Sequence, residues 1–191
     1  MKKRPPKPYA IRPMYDEFGS IGYYERFGAA YRNPHEPIIV KLIQQAVSDY
    51  SLDTSHVLDL ACGSGEMTMA LRGVGAAKIT GIDPFTGEAY RARTGQIALS
   101  YTFEQIAEGI LADQYYSLIV CSFALHLADD SRLPILCYQL SLIAPALVVI
   151  TPIKRPHIEE AWGWILREEV MLERVRLRMY GSKQATGESK Q

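Results

Sequence analysis

The sequence is poor in the features that mark secreted, membrane-embedded or metal-binding proteins. It has only three cysteines among 191 residues, Cys62, Cys121 and Cys137, each inside an apolar segment and none in a paired or metal-like spacing. This pattern is typical of reduced, buried thiols rather than of a disulfide framework or a metal site. No segment reaches the roughly 18 apolar residues of a membrane span, and the basic start of the chain has no apolar run behind it. We therefore expect a cytoplasmic protein with no signal peptide, no membrane contact and no metal centre.

An excess of one charge is also absent, because 21 lysines and arginines balance 21 aspartates and glutamates. A protein that binds the nucleic-acid backbone normally carries an excess of basic residues, so nucleic acid is disfavoured as a partner. The basic features are the segment MKKRPPK at the start of the chain and the alternating Arg174, Arg176 and Arg178, which we interpret as solvated. What is present is 48% hydrophobic residues, enough for one domain with an ordinary core.

The hydrophobic pattern alternates between helical and strand periodicity along the chain. It predicts helices over 38–50, 66–73, 88–93, 131–143 and 158–172, and strands over 56–62, 78–83, 98–103, 116–123, 146–153 and 174–180. Strands that alternate with helices form a parallel sheet that is covered on both faces. The predicted fold is therefore α/β, a doubly wound and mostly parallel sheet with an antiparallel edge strand at its C-terminal end. We treat 1–191 as a single domain with an N-terminal arm (1–36), a core (37–180) and a flexible tail (181–191).

The stretch VLDLACGSGEM (57–67) leaves a predicted strand and turns at once through small residues. It does not complete the dinucleotide pattern G-x-G-x-x-G, because Thr68 stands in the third glycine position, and no Gly-Lys-Ser/Thr of a P-loop follows. Glu66 at the start of the next helix would repel a phosphate, and no lysine or arginine lies between residues 57 and 71. The loop therefore predicts a site for a nucleoside without phosphate.

The second predicted strand ends at Asp83, 24 residues after Asp59. In a β-α-β unit, that distance brings Asp83 to the end of the neighbouring strand, beside the glycine loop. A carboxylate there can accept hydrogen bonds from the 2′ and 3′ hydroxyls of a ribose. Taken alone, Asp83 has the alternative role of a helix cap; together with the loop, the ribose role is favoured.

These residues resemble the class I S-adenosylmethionine-dependent methyltransferases over about 37–153. VLDLACGSG is similar to the first motif of that family, with Ala61 where many members have glycine; GIDPF is similar to the second, and YSLIVCSFALHL to the fourth strand and its outgoing loop. The resemblance implies S-adenosylmethionine as cofactor, held by Asp59, Ala61, Cys62, Gly63, Ser64, Gly65, Asp83, Pro84, Phe85, Ser122 and Phe123. The family often has an aspartate at the adenine; here the corresponding segment offers Glu104 or Gln105.

The resemblance also implies that the N-terminal arm folds over the cofactor as a lid. The arm holds five of the twelve tyrosines, Tyr9, Tyr15, Tyr23, Tyr24 and Tyr31. Their ring faces would favour the positively charged sulfur of the cofactor, or would simply pack the lid onto the sheet. Tyr31 is a candidate for the first role, and Arg32 is a candidate partner for the cofactor carboxylate.

The resemblance implies methyl transfer to a small or medium-sized molecule, and the sequence does not indicate which atom accepts the methyl group. Such a reaction depends mostly on placement, so a general base need not exist. His126 is the candidate for such a base, with a structural role as the alternative. Two other functions stay open: a non-catalytic methyltransferase-like binding module and an NAD-dependent oxidoreductase. The family usually ends in two strands and this sequence indicates one, so the sheet edge could be abbreviated and a homodimer could supply a substrate wall.

Overall fold

The computed structural model describes residue 22 and residues 32–184, which contain a six-stranded mixed sheet with helices on both faces. The strands are β1 (Val57–Leu60), β2 (Ile79–Ile82), β3 (Leu118–Ser122), β4 (Ala146–Thr151), β5 (Trp164–Leu172) and β6 (Val175–Ser182). The α-helices of residues 32–184 are α1 (Glu36–Tyr50), α2 (Glu66–Gly73), α3 (Gly87–Thr94), α4 (Phe103–Ala107) and α5 (Leu133–Ile143). Within the same residues, no helix combines the length and the apolar character needed to cross a bilayer.

The strand order is β2-β1-β3-β4-β6-β5. The first four strands in this order are parallel, and β6 runs antiparallel to both β4 and β5. The chain moves outward from β1 to β2 and then returns to place β3 on the other side of β1. The structure therefore confirms the predicted doubly wound fold, and the order reverses at the carboxyl ends of β1 and β3, where such sheets bind ligands.

Each face of the sheet has its own apolar core, because parallel strands are covered on both sides. On one face, α1 and α2 pack against Val57, Leu118 and Val120, and the buried stripe of α1 consists of Ile39, Leu42, Ile43 and Ala46. On the other face, α4 and α5 pack against Leu58 and Leu60. The two cores fix the carboxyl ends of β1 and β3 side by side.

Residues 98–103 do not form the predicted strand. A single bridge joins Leu99 to Ile82, and Thr102 then caps α4. The Thr102 hydroxyl accepts a hydrogen bond from the Gln105 N–H, and the Gln105 side chain accepts one from the Thr102 N–H. This reciprocal cap requires the Thr-x-x-Gln spacing that is present in the sequence, so a helix start outcompetes the strand.

The predicted helix over 158–172 is also wrong. A one-turn 3-10 helix covers Glu160–Trp162, and β5 (Trp164–Leu172) forms the sheet edge. The strand predicted to form the sheet edge, over 174–180, corresponds to β6 and lies between β4 and β5. The sheet therefore ends in two antiparallel strands, and its C-terminal edge is not abbreviated. Trp164 is fully buried and its Nε1–H donates a 2.7 Å hydrogen bond to the carbonyl of Cys137.

The arginine row on β6 is not simply solvated as predicted. Arg178 is 6% exposed, and its Nε donates a 2.6 Å hydrogen bond to Glu169 on β5. Its Nη1 donates to the carbonyls of Lys154 and Pro156, and Arg176 donates to the same Glu169 at 2.8 Å. The hydrogen bond from Arg178 is the main cause that holds the pKa of Glu169 below its ordinary value. Pairs of opposite charge across the two strands stabilise this edge of the sheet.

Candidate functional site

A cavity of about 430 Å³ opens at the carboxyl ends of β1, β2 and β3. Its volume is in the range of small-molecule sites, and it lies at the switch point of the sheet. Nine of the residues predicted from the sequence line it: Ala61, Cys62, Gly63, Asp83, Pro84, Phe85, Glu104, Ser122 and Phe123. The structure thus brings together residues from three strand ends, at the place where the nucleoside was predicted.

The loop between β1 and α2 runs through left-handed backbone, with φ values of +56° at Ala61, +55° at Gly63 and +90° at Gly65. Glycine adopts this conformation at little cost, whereas alanine does not. At Gly65 space is a second constraint, because a Cβ there would lie 2.5 Å from the Cγ2 methyl of Thr94. Gly65 and the buried Ser64 are not among the residues that line the cavity, and Gly63 presents the loop backbone to it.

Asp83 joins the ends of β2 and β1. Its Oδ1 accepts hydrogen bonds from the N–H groups of Phe85 (2.8 Å) and Thr86 (3.0 Å), and its Oδ2 accepts one from Gly63 N–H at 3.2 Å. An ionised carboxylate offers about four acceptor positions, so one remains for a ligand. The side chain therefore stabilises the turn and can also serve as a ligand acceptor; the two alternative roles are compatible.

The wall beside Asp83 is aromatic. Phe85, Tyr101 and Phe103 line it together with Glu104. Sequence analysis missed Tyr101 and Phe103 as site residues because it assigned 98–103 to a strand. Gln105 is not among the lining residues, and its side chain is used in the cap of α4.

Asp59 lies beneath the loop and not in the cavity lining. Asp59 is fully buried, and its Oδ2 accepts a 2.6 Å hydrogen bond from the Thr68 hydroxyl. The Thr68 hydroxyl oxygen also lies 3.0 Å from the Tyr90 hydroxyl oxygen. The Oδ1 of Asp59 has no hydrogen-bond partner among the described residues. Burial, reinforced by the nearby Glu66 and Asp83 carboxylates, raises the pKa of Asp59 to about 7. Any effect of Asp59 on a ligand therefore passes through the loop above it.

Three further residues carry groups that can act as nucleophiles or bases: Cys62, Cys121 and His126. Burial raises the pKa of the Cys62 and Cys121 thiols, so neither is a thiolate nucleophile at neutral pH. His126 lies in a short 3-10 helix after β3, outside the cavity lining, and its buried Nδ1 has no partner within residues 32–184. Burial lowers the pKa of His126, because the charged imidazolium is disfavoured away from water.

The segment before α1 also reaches the cavity. Asn33 is part of the lining, and its N–H donates a 2.8 Å hydrogen bond to the Glu66 carboxylate. The ring of His35 stacks on that of Phe123 with centroids 4.9 Å apart and planes 14° apart. Arg32 is exposed and is not among the lining residues, while Tyr31 and the rest of the tyrosine-rich arm lie outside the described residues. The sequence alone did not indicate Asn33 as a residue of the site, because its contact with Glu66 joins positions 33 residues apart.

Comparisons with known proteins agree with this geometry. Residues 57–142 match a family model described as a methyltransferase domain. The chain is 32% identical over 232 aligned positions to an uncharacterized protein of Schizosaccharomyces pombe, with 92% of this chain and 93% of that protein covered.

Among solved structures, the chain resembles magnesium protoporphyrin IX methyltransferase from Synechocystis PCC 6803 with bound SAM (TM-score 0.61, 17% identity, 90% of this chain and 96% of that chain). It also resembles the N-methyltransferase NodS from Bradyrhizobium japonicum WM9 in complex with S-adenosyl-L-homocysteine (TM-score 0.61, 18% identity, 84% of this chain and 96% of that chain). At these identities, the two likenesses establish a shared fold.

Proposed function

Because this chain belongs to the methyltransferase domain family and uses S-adenosylmethionine as its cofactor, we propose that it transfers the methyl group to a small molecule. The observation that carries the proposal is the charge of the cavity: among the described lining residues, Asp83 and Glu104 have no ion pair, Glu66 is paired with Arg93, and there is no lysine or arginine. When bound, the cofactor supplies an electrophilic methyl group on a positively charged sulfur. Carboxylates suit such a ligand and repel phosphates, so they disfavour both a dinucleotide and a nucleic-acid acceptor.

The adenosyl half of the cofactor is assigned to the ends of β1 and β2. Asp83 accepts a hydrogen bond from a ribose hydroxyl with its remaining acceptor position, and Gly63 allows the ligand to approach the loop backbone. Phe85 and Tyr101 enclose the adenine between apolar faces, and Glu104 accepts from its amino group. The support for these roles is that all of these residues line one continuous cavity.

The methionine half is assigned to the side of the cavity formed by β3 and the start of α1. Ser122 is the last residue of β3, Phe123 follows it, and Asn33 approaches from the segment before α1. The residues of this side orient the cofactor and exclude water, which is the main task of the protein in methyl transfer. His126 follows Phe123 by three residues but is not among the lining residues, so its role as a base that takes a proton from the acceptor stays a prediction.

The proposal is tested with cofactor labelled in its methyl group. We would incubate the protein with labelled S-adenosylmethionine and with the low-molecular-mass or the macromolecular fraction of a Schizosaccharomyces pombe extract. We expect label in the low-molecular-mass fraction, and much less with the Asp83→Ala variant. Label transferred only to protein or nucleic acid would contradict a small-molecule acceptor.

A further inference from the structure

Glu66, the first residue of α2, connects three separate parts of the chain at the cavity. Its side chain is 4% exposed and accepts hydrogen bonds from the Asn33 N–H at 2.8 Å and from the Ser64 hydroxyl. It also pairs with Arg93 of α3 at 3.4 Å, and Arg93 in turn pairs with Glu36 in the first turn of α1. This cluster fixes the start of α1 against the loop that follows β1.

From Glu66, a series of contacts continues to the far side of the cavity. The Oδ1 of Asn33 accepts a 2.9 Å hydrogen bond from the His35 N–H, and the ring of His35 stacks on Phe123. Phe123 has a φ of +58°, a conformation that costs a non-glycine residue energy and that surrounding contacts must hold in place. Asn33 and Phe123 both line the cavity. The contacts Glu66–Asn33–His35–Phe123 therefore bridge the loop after β1 and the loop after β3.

We propose that Glu66 is a positioning residue for the methionine end of the cofactor, which it orders through Asn33 and the His35–Phe123 stack. This inference rests on the proposed function, since it assumes that S-adenosylmethionine occupies the cavity. At the adenosyl end, the carboxylates of Asp83 after β2 and Glu104 in α4 lie outside the Glu66–Asn33–His35–Phe123 contacts. The ion pair with Arg93 offsets the charge of Glu66, so its effect on the cofactor passes through Asn33 and not through direct attraction.

Two ligands separate the two ends of the site. S-adenosylhomocysteine has the adenosyl group and the amino-acid part, and methylthioadenosine has the same adenosyl group without the amino-acid part. By calorimetry, we expect Glu66→Ala to weaken S-adenosylhomocysteine binding about tenfold, the scale of a lost hydrogen bond to a charged group. Methylthioadenosine binding should stay within about twofold of wild type, because its contacts do not depend on Asn33.

Glu66→Gln provides the conservative comparison. Its amide oxygen can still accept from Asn33, so we expect S-adenosylhomocysteine affinity within about threefold of wild type. Both ligands lack the positively charged sulfur, so simple charge attraction to that atom plays no part in the result. A Glu66→Gln loss as large as that of Glu66→Ala would overturn the role of the hydrogen bond to Asn33.

Glu104→Ala is the matched control at the opposite end of the cavity. It removes a carboxylate from the adenine side and should weaken both ligands equally. If Glu66→Ala weakens both ligands equally, or neither, the positioning role is overturned. If Glu66→Ala does not fold, His35→Ala tests the same contacts. We then expect His35→Ala to weaken S-adenosylhomocysteine binding and to leave methylthioadenosine binding unchanged. An unchanged affinity of His35→Ala for S-adenosylhomocysteine would overturn the positioning role. Wild-type protein that binds neither ligand would contradict the proposed function instead.

Discussion

The Oδ2 of Asp83 and the backbone N–H of Gly63 are joined by a 3.2 Å hydrogen bond that ties the end of β2 to the loop after β1. The other carboxylate oxygen accepts from the N–H groups of Phe85 and Thr86. One side chain thus organises two loops of the cavity and retains one acceptor position for a ligand. Its replacement should therefore affect binding both directly and through the shape of the turn.

Asp83→Ala should weaken S-adenosylhomocysteine binding by about 1.5–3 kcal/mol, the scale of losing hydrogen bonds to a charged group. Asp83→Asn keeps one oxygen acceptor but not the charge, so we expect an intermediate loss. Asp113 is exposed and is not among the lining residues, and Asp113→Ala serves as the control with unchanged affinity. The dissociation constants are measured by calorimetry; an unchanged value in Asp83→Ala would contradict the ribose assignment.

Asp59 should make the free energy of unfolding depend on pH. Its pKa is raised from 3.8 to about 7, mainly by burial, so the folded state binds the proton more tightly than the unfolded state does. The stabilising contribution is fully present below about pH 4 and is lost as the pH rises through about 7. Denaturant unfolding of wild type and Asp59→Asn across this window should show a steeper loss of stability in wild type. Parallel pH profiles for the two proteins would show that Asp59 does not titrate in this way.

Two substitutions in the loop after β1 should have opposite consequences. Ala61 has a φ of +56°, so Ala61→Gly relieves backbone strain of about 1–2 kcal/mol, partly offset by the greater freedom of glycine in the unfolded chain. We expect Ala61→Gly to be neutral or stabilising by about 1 kcal/mol. Gly65→Ala places a methyl group 2.5 Å from Thr94 at a φ of +90°, and should destabilise the fold by about 2 kcal/mol. Urea unfolding measures the free energy of unfolding of both variants. A Gly65→Ala protein as stable as wild type would contradict the close packing of Gly65 against Thr94.

Arg178 should contribute more to stability than its neighbour Arg176, although both bond to Glu169. Arg178 is almost buried and also satisfies the carbonyls of Lys154 and Pro156. Arg178→Ala leaves these groups without their donor and should cost about 2–4 kcal/mol. Arg176 makes its hydrogen bond to Glu169 at a more exposed position, and Arg176→Ala should cost at most about 1 kcal/mol. If Arg178→Ala and Arg176→Ala lower the free energy of unfolding in urea by the same amount, the carbonyl contacts of Arg178 contribute nothing to stability.

Local patterns were sufficient for the parallel part of the fold. Strands β1 to β4 are short apolar runs, and α1 has a clear helical stripe, so periodicity alone indicates them. The segment 158–172 was misassigned because it contains four glutamates and two leucines, which favour helices. Its strand conformation depends on pairing with β6, a tertiary contact that overrides local propensity.

The residues of the candidate site also divide into those that local sequence patterns predict and those that depend on tertiary contacts. The glycine loop and Asp83 follow strand ends, so topology predicts that they meet. Asn33 and Glu66 are 33 residues apart in the chain, and their hydrogen bond depends on how α1 packs beside α2. No local spacing encodes that contact. Tyr101 and Phe103 were missed for a different reason, since the Thr-x-x-Gln cap that positions α4 was visible in the sequence but was not used.

The most direct test of the account is a calorimetric titration of the wild-type protein with S-adenosylhomocysteine and, separately, with NAD and NADH. A cavity lined by carboxylates and bare loop backbone should bind S-adenosylhomocysteine at a single site with micromolar or better affinity and should give no binding heat with either dinucleotide. Micromolar binding of NAD or NADH, with no response to S-adenosylhomocysteine, would contradict the assignment of a phosphate-free adenosyl group to the ends of β1 and β2.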